Sequence, residues 1–163
     1  ETFPACIEDG GTFQENARKK VVHYARGNIG LLFADDSGLC VPALNGAPGV
    51  YSARFAGPKA TDEKNNKKLL KELTNLGFKN NRAYFVCIIA VLREGEPIKT
   101  FEGRVEGQIL EAPRGKKGFG YDPLFLYKPL GKTFAEISSK EKFLISHRGK
   151  AFRKLLSYLA IGS

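Results

Sequence analysis

The chain has 163 residues, and its 26 Lys and Arg against 17 Asp and Glu give a formal net charge of +9 at pH 7, which predicts an anionic partner. This length is enough for one domain with a sizeable core but not for two comfortable ones, and the 42% of apolar residues excludes a disordered chain. No apolar run approaches the length of a membrane span, and charge alone leaves nucleic acid, a membrane surface and a phosphorylated small molecule open as partners.

The N-terminal third of the chain predicts a helix and then a strand. The Thr-x-x-Glu pattern at residues 12–15 is typical of a helix start, and the Gly-Asn pair at residues 27–28 is typical of a helix end. Apolar residues follow the start at helical spacing: Phe13, Ala17, Val21 and Tyr24. Residues 31–34 predict a short buried strand, which runs into a polar Asp-Asp-Ser-Gly turn at residues 35–38.

The middle of the chain predicts a second helix followed by a sheet. Thr61 is a typical N-cap, and the leucines that follow it share one helix face: Leu69, Leu73 and Leu76. Residues 84–92 are apolar on both alternating faces, which indicates a central strand that is covered on both sides. The turn at residues 94–97 is short, so the one or two strands predicted within residues 98–110 pair antiparallel.

The C-terminal segment predicts one long helix that starts at a second capping box, residues 138–141. Its apolar residues are expected to face inward: Ile145, Phe152, Leu155, Leu156 and Leu159. Lys142 and Arg148 do not share a face of a straight helix, so both reach one ligand only if one of them lies on a loop or turn. The elements add up to a single α/β domain over residues 1–163, with a mixed sheet flanked by helices.

Three acidic segments are candidates for chemistry. Asp35 and Asp36 follow a predicted strand, where ligands of α/β sheets collect, and two adjacent carboxylates there could hold Mg²⁺ or polarise a water molecule. Asp, Ser and Gly are also common turn residues, so a plain turn explains the same segment. The acidic loop at residues 8–10 is by itself only a turn. Glu15 has a complete structural role as a cap that accepts the Thr12 backbone N–H.

Two segments near the C-terminus have the composition of a base-binding or phosphate-binding site. Residues 114–123 combine glycines, cations, aromatic rings and one carboxylate, so the backbone can approach a ligand, a ring can stack on a base, and Asp122 can accept from base N–H groups. A glycine-rich hairpin explains the glycines but not the whole set. His147 and Arg148 could bind phosphate or a purine carbonyl, although cations on a solvated helix face need no such explanation.

Five segments, taken in order, resemble the inosine triphosphate pyrophosphatase family, and in particular its bacterial branch, the dITP/XTP pyrophosphatases. The resemblance covers essentially the whole chain and rests on residues 12–17, 34–39, 46–54, 118–123 and 146–148. It implies a homodimeric α/β enzyme with an elongated central sheet. Such an enzyme uses Mg²⁺ to cleave ITP, dITP and XTP to the monophosphate and pyrophosphate, with no membrane association and no specific nucleic-acid binding.

The resemblance also implies roles for individual residues. The metal carboxylates would be Glu8, Asp36 and Glu15. The catalytic carboxylates would be Asp36, as the base for the attacking water, and Asp35 in support. The phosphate contacts would be Ser37 and Lys20. Phe119 would stack on the purine, in a pocket completed by Gly120, Tyr121 and Asp122 and closed by Lys142, His147 and Arg148. An Arg148 donor beside an acceptor would reject adenine, whose 6-amino group is a donor where hypoxanthine and xanthine have a 6-oxo acceptor.

Two residue types bear on the compartment and the completeness of the chain. Cys6, Cys40 and Cys87 form no metal-type or redox-type pair and no signal peptide opens the chain, which favours the cytoplasm. The resembling family begins with a strand and a Thr/Ser-Gly-Asn-x-x-Lys phosphate loop. Because the chain has neither this loop nor any Met, we expect residues to precede Glu1.

Two other hypotheses stay open at this point. A basic nucleic-acid-binding module would show an affinity that falls steeply with salt, and it would leave the acidic segments unexplained. An inactive fragment of the same family would only dimerise.

Overall fold

The computed structural model describes residues 4–25 and 30–161, and its first element is helix α1 (Phe13–Tyr24). The helix begins as predicted, because the Thr12 hydroxyl accepts the Glu15 backbone N–H at 3.1 Å. The Glu15 carboxylate, however, accepts the N–H of Gly11 at 2.8 Å, not that of Thr12 as the capping-box pattern predicted. The helix end predicted at residues 27–28 lies outside the described residues.

Strand β1 (Leu31–Cys40) corrects the prediction for this part of the chain. The polar turn predicted at residues 35–38 is wrong, since β1 continues through it and pairs along its whole length with β2 (Arg82–Arg93). The ladder pairs all ten residues with β2 and satisfies the backbone groups that point toward it, and this outweighs the local preference of Asp, Ser and Gly for turns. The strand is also less buried than predicted, since Leu31 is 44% and Phe33 is 46% exposed.

The sheet contains five described strands in the order β1-β2-β3-β4-β5. After β1 and β2 come β3 (Lys99–Ile109), β4 (Phe125–Tyr127) and β5 (Lys132–Thr133). The central strand predicted at residues 84–92 is confirmed, and residues 98–110 form one strand. The sequence predicted a mixed sheet, whereas all four described ladders are antiparallel, each between strands that are consecutive in the chain.

Helix α2 (Asp62–Asn75) is capped as predicted, with the Thr61 hydroxyl accepting the Lys64 N–H at 3.2 Å. Leu69 and Leu73 are fully buried, but Leu76 is 49% exposed because it lies past the end of the helix, at the C-cap. Three short 3-10 helices occupy the connections: Pro42–Leu44, Gly49–Arg54 and Lys128–Leu130.

The predicted final helix is two helices, α3 (Ser139–Ile145) and α4 (His147–Ile161), and the prediction of one helix is wrong. The capping box at Ser138 is confirmed. Ser146 interrupts the helix with an extended backbone (φ −72°, ψ 162°), and its hydroxyl accepts the Gly149 N–H at 3.2 Å, which caps α4. This break supplies the turn that Lys142 and Arg148 need to reach one site. Leu156, predicted to face inward, is 56% exposed.

The two faces of the sheet are covered by different helices, and we name them accordingly. On the α1 face, helix α1 packs against Val86, Ile88 and Ala90 of β2. On the α4 face, helix α4 packs against Cys87, Ile89 and Val91 of the same strand. None of the helices in the described ranges combines the length and the apolar composition that crossing a bilayer requires.

Helix α4 approaches β3 most closely at Gly103. A Cβ atom at this position would overlap the carbonyl oxygen of His147 and the backbone nitrogen of Ala151. The absence of a side chain at Gly103 therefore sets how deeply the first turn of α4, and with it His147 and Arg148, sits against the sheet.

We expect Gly103→Ala to lower the free energy of unfolding by about 1–3 kcal/mol, because backbone atoms of α4 have to move to admit the methyl group. Urea denaturation followed by circular dichroism measures the change. Gly30→Ala is the matched control, since a Cβ there meets no atom of the described residues within 4 Å. Equal stability of the two variants would contradict this account of the contact.

Candidate active site

The pleat of β1 places the two adjacent carboxylates on opposite faces of the sheet. Asp36 pairs with Ile88 and lies on the α1 face, whereas Asp35 pairs with Ile89 and lies on the α4 face. The sequence suggested that both side chains could hold one metal ion. Because they point to opposite faces, the structure does not bring them together at one metal site. Each carboxylate instead belongs to its own cluster of polar groups.

On the α1 face, Asp36 joins Glu8 around the ammonium group of Lys20, and we call these three residues the acidic centre. Lys20 Nζ lies 3.0 Å from Glu8 Oε2 and 3.2 Å from Asp36 Oδ1, and it also donates to the Asp35 backbone oxygen at 3.0 Å. Three of the residues predicted for the metal and phosphate site thus converge, although they come from a loop, a helix and a strand.

The pKa values of two groups in the acidic centre are shifted from their ordinary values. Burial raises the pKa of Asp36 above its ordinary value, although the neighbouring Lys20 charge opposes the rise. Burial on its own lowers the pKa of Lys20, but the hydrogen bond to Glu8 and the charge of Asp36 raise it overall. Asp36 Oδ2 is buried, and it makes no hydrogen bond of ordinary length and angle to any described residue. The Asn16 side chain is close enough to lower the pKa of Asp36, but it leaves this buried oxygen available to a cation.

The donor set fits Mg²⁺. This ion is commonly held by one or two carboxylates, with water and substrate phosphate completing its shell, and Glu8 and Asp36 provide two carboxylates on one face. Within residues 4–25 and 30–161, no group of three or more His, Cys, Asp or Glu side chains is arranged to enclose a metal. Glu15, the third predicted metal carboxylate, is exposed, and its carboxylate accepts the Gly11 N–H at 2.8 Å.

Residues that the sequence analysis did not single out hold the loop that carries Glu8. Arg54 donates to the Glu8 backbone oxygen at 2.9 Å, and Asn16 Oδ1 accepts the Gly10 N–H at 2.8 Å. Arg54 lies in the segment 46–54 on which the family resemblance partly rests, so its position there is a signal that could have identified it. Asn16 is a fully buried polar residue in α1, and its burial is visible only in the fold.

On the α4 face, an open cavity of about 180 Å³ lies next to Ser37, and we call it the ring pocket. This volume is comparable to that of engineered cavities that take a single aromatic ring. Phe119 lines the ring pocket with a side chain that is 63% exposed. Lys142 Nζ lies 4.6 Å from the centre of the Phe119 ring and Arg148 Cζ lies 6.0 Å from it. The pocket thus combines an exposed ring with two cations.

The loop that carries Phe119 is held by its own carboxylate. Asp122 is 2% exposed, and its Oδ2 atom accepts the Phe119 N–H at 3.0 Å and a hydrogen bond from Lys142 Nζ. The Tyr121 hydroxyl donates to the Ser52 backbone oxygen at 2.8 Å. Tyr121 is buried, and this burial raises its pKa. Asp122 and Tyr121 line the pocket, and these contacts also give both of them a structural role.

Helix α2 contributes two side chains that hold the pocket loop, and the sequence analysis missed both. Asp62 Oδ2 accepts the Gly120 N–H at 2.7 Å, and Asn66 Nδ2 donates to the Gly120 oxygen at 2.9 Å. The two side chains therefore hold the peptide groups beside Phe119 from both sides. Only their positions one turn apart at the start of α2 hinted at a shared function.

His147 and Arg148 lie at the start of α4, on the far side of the ring pocket. The His147 ring stacks on Phe85 with a centroid distance of 4.8 Å, and its Nδ1 atom is buried without a partner among the described residues. Burial, followed by the charges of Arg148 and Lys142, lowers the pKa of His147 to about 3. His147 is therefore a neutral, uncharged contact.

Ser37 and Lys20, the two predicted phosphate contacts, lie on opposite faces of β1. The Ser37 hydroxyl donates to Asp35 Oδ2 at 3.1 Å and lines the ring pocket, whereas Lys20 belongs to the acidic centre. The acidic centre and the ring pocket are therefore separated by the thickness of one strand.

We expect the His147 ring to stay neutral down to about pH 5. Its folded pKa, about 3, is below its ordinary 6.5, so the unfolded chain takes up the proton first. The corresponding stability is complete above pH 6.5 and is lost as the pH falls towards 3, with a slope of up to about 1.4 kcal/mol per pH unit.

Histidine ring chemical shifts in NMR test the protonation state, with His147→Gln used to assign the signal. The free energy of unfolding between pH 6.5 and pH 4 tests the linkage, and it should fall less steeply in the variant than in the unchanged protein. Parallel pH dependences in the two proteins would contradict the shift.

Comparison with known proteins agrees with this geometry. Residues 1–158 match the Ham1 family. The chain is 54% identical over 154 residues to the dITP/XTP pyrophosphatase of Desulfotalea psychrophila, covering 94% of this chain and 68% of that protein. It is 49% identical to the dITP/XTP pyrophosphatase of Bacillus licheniformis, covering 96% of this chain and 80% of that protein.

Solved structures give the same result. The Staphylococcus aureus Ham1 protein superimposes with a TM-score of 0.92 at 43% identity, covering 98% of this chain and 82% of that one. A HAM1 protein from Coxiella burnetii also has a TM-score of 0.92 at 43% identity, covering 97% of this chain and 81% of the other. The family resemblance and the α/β fold predicted from the sequence are confirmed, and the chain belongs to the Ham1 family.

Proposed function

We propose that this protein hydrolyses non-canonical purine nucleoside triphosphates, ITP, dITP and XTP, to the monophosphate and pyrophosphate. The observation that carries the proposal is the division of the site by β1, with a partly buried acidic centre on one face and a ring pocket on the other. A nucleoside triphosphate has the matching asymmetry, since a flat ring lies at one end and an anionic chain at the other. The relatives named as dITP/XTP pyrophosphatases support this assignment.

The ring pocket accounts for the purine end of the substrate. The exposed Phe119 ring offers a stacking surface, and stacking tolerates any purine because every base has a π-face. Selection therefore depends on polar groups. Arg148 and Lys142 are donors without acceptor capacity, so they favour a 6-oxo group and disfavour the 6-amino group of adenine.

The acidic centre accounts for the phosphate end. Glu8 and Asp36 would hold Mg²⁺, which neutralises phosphate charge and polarises the phosphoryl group when it is bound. Asp36 accepts the proton of the attacking water while the bond between the α-phosphorus and the bridging oxygen of pyrophosphate breaks. Lys20 stays charged because of its two carboxylate neighbours, and it stabilises negative charge as the pyrophosphate leaves.

A phosphate chain that starts at the ring pocket has to cross the edge of the sheet to reach the acidic centre. Among the described strands, β1 pairs only with β2, so its other edge faces no strand of this part of the chain. From Gly38 onward this edge is covered by Gly49 and by Ser52, whose hydroxyl accepts the Leu39 N–H at 2.9 Å. We propose that the nucleotide passes over the edge near Ser37, which lines the pocket.

Three features that accompany this activity belong to the same proposal. They are Mg²⁺ as the metal, a homodimer, and action on the nucleotide pool of the cytoplasm. The rival hypothesis of a nucleic-acid-binding module has less support, because Glu8 and the buried Asp36 would repel a phosphate backbone unless a cation lay between them.

We expect Asp36→Asn to lower kcat for ITP hydrolysis with Mg²⁺ by at least about 100-fold, because the variant removes the proton acceptor and a metal carboxylate. Glu8→Gln should weaken Mg²⁺ activation, and pyrophosphate release measures both. Asp9→Asn is the control on the same loop, since Asp9 is exposed and its ion pair is with Lys19, at 2.5 Å, outside the acidic centre. A loss of only a few-fold in Asp36→Asn would rule out the assigned mechanism.

We expect Phe119→Ala to raise the KM for ITP about 5- to 150-fold with little change in stability, because a stacked base contributes about 1–3 kcal/mol and the side chain is largely exposed. Phe119→Tyr keeps the ring and should keep the KM within about two-fold on the same basis. An unchanged KM in Phe119→Ala would place the base elsewhere.

A further inference from the structure

The two adjacent carboxylates of β1 have different roles in the site. We propose that Asp35 is a positioning residue that orients Arg148 for purine selection. This inference rests on the proposed function. It differs from the role that the resemblance implied, in which Asp35 supports catalysis beside Asp36. On the present geometry Asp35 acts on which base is accepted, and Asp36 acts on the phosphate.

The first observation is a shared acceptor atom. Asp35 Oδ2 accepts from Arg148 Nη2 at 3.0 Å and from Arg148 Nε at 3.4 Å. The same oxygen accepts the Ser37 hydroxyl at 3.1 Å, and the Cys87 thiol lies 3.8 Å from it. Donors from α4, β1 and β2 therefore meet at one atom, which fixes both the carboxylate and the guanidinium.

The second observation is the position of Arg148 in its helix. Arg148 is the second residue of α4, where the helix dipole is positive and a cation is disfavoured. A carboxylate beside the first turn offsets this repulsion and interacts favourably with the dipole itself. Among the described residues, Asp35 is the carboxylate that forms an ion pair with Arg148, at 3.0 Å.

The third observation concerns the N–H donors of Arg148 that its contact with Asp35 does not use. A guanidinium has five N–H donors in a rigid fork, and Asp35 engages the side formed by Nε and Nη2. The described part of the chain shows no other hydrogen bond of Arg148, so the remaining donors are available at the ring pocket, which Arg148 lines. The 6-oxo group of a hypoxanthine or xanthine ring is an acceptor that fits them.

The fourth observation separates Asp35 from the chemistry. Its side chain lies on the α4 face, whereas Lys20 and Asp36 form their ion pair on the α1 face. The only described contact of Asp35 with the acidic centre is through its backbone oxygen, which accepts from Lys20 Nζ at 3.0 Å. Replacing the side chain of Asp35 leaves this backbone contact in place.

The test compares steady-state kinetics of Asp35→Asn and Asp36→Asn with ITP and with ATP. For Asp35→Asn we expect the KM for ITP to rise about tenfold with kcat within about threefold of the unchanged protein, and the ratio of kcat/KM for ITP over ATP to fall about tenfold. For Asp36→Asn we expect the opposite split, a fall in kcat with the ITP preference retained. A purely structural role for Asp35 would not change the base preference.

A double-variant cycle with Arg148→Lys tests the coupling. If Asp35 acts through Arg148, Asp35→Asn should change the ITP preference much less in the Arg148→Lys background than in the unchanged protein. If Asp35→Asn does not fold, Asp35→Glu provides the readout, because it keeps the charge but moves the carboxylate by one methylene, and the same loss of preference is expected.

Three results would overturn the inference: a kcat loss in Asp35→Asn equal to that in Asp36→Asn, an unchanged ITP preference, or additive effects in the cycle. The failure of the proposed function has a different signature, since the unchanged protein would then release no pyrophosphate from ITP.

Discussion

The antiparallel ladder between β1 and β2 is the constraint on which the site depends. Ten consecutive residue pairs, from Leu31 with Arg93 to Cys40 with Tyr84, hold the strand in one register. A slip of one residue would move every side chain to the other face, and it would exchange Asp35 with Asp36. The apolar partners in β2 prevent such a slip, since Ile88 packs under α1 and Ile89 packs under α4. The same packing that forms the core therefore assigns each carboxylate its surroundings.

Each face of the sheet also receives a cation from the helix that covers it. Lys20 comes from α1 and meets Asp36, and Arg148 comes from α4 and meets Asp35. These pairs lie at the margin of the core, where charges are partly desolvated but still reach the substrate, so they cost less than fully buried ion pairs. The net charge of +9 thus has a local counterpart, in which the cations near the site surround a small number of acidic groups.

Local sequence signals predicted the helix starts correctly. They failed for segments whose structure depends on contacts with residues far away in the chain. Thr12, Thr61 and Ser138 all cap helices as expected, because a cap is a hydrogen bond that spans three residues. The turn at residues 35–38 was wrong because β2, about fifty residues away, pairs with that segment. The break at Ser146 was missed because apolar spacing continues on both sides of it, although the separation of Lys142 and Arg148 had required a turn.

The residue types of the site were present in the sequence, and their grouping was not. Sequence alone determined the family and the helix caps, and it named most of the candidate residues and predicted an anionic partner, since these depend on composition and on short motifs. Tertiary structure alone decided that Asp35 and Asp36 face different clusters, and that Asp62, Asn66 and Asn16 support the site. The physical reason is that a strand alternates its side chains between two faces, and only the non-local ladder and the helices packed on each face give those directions a chemical meaning.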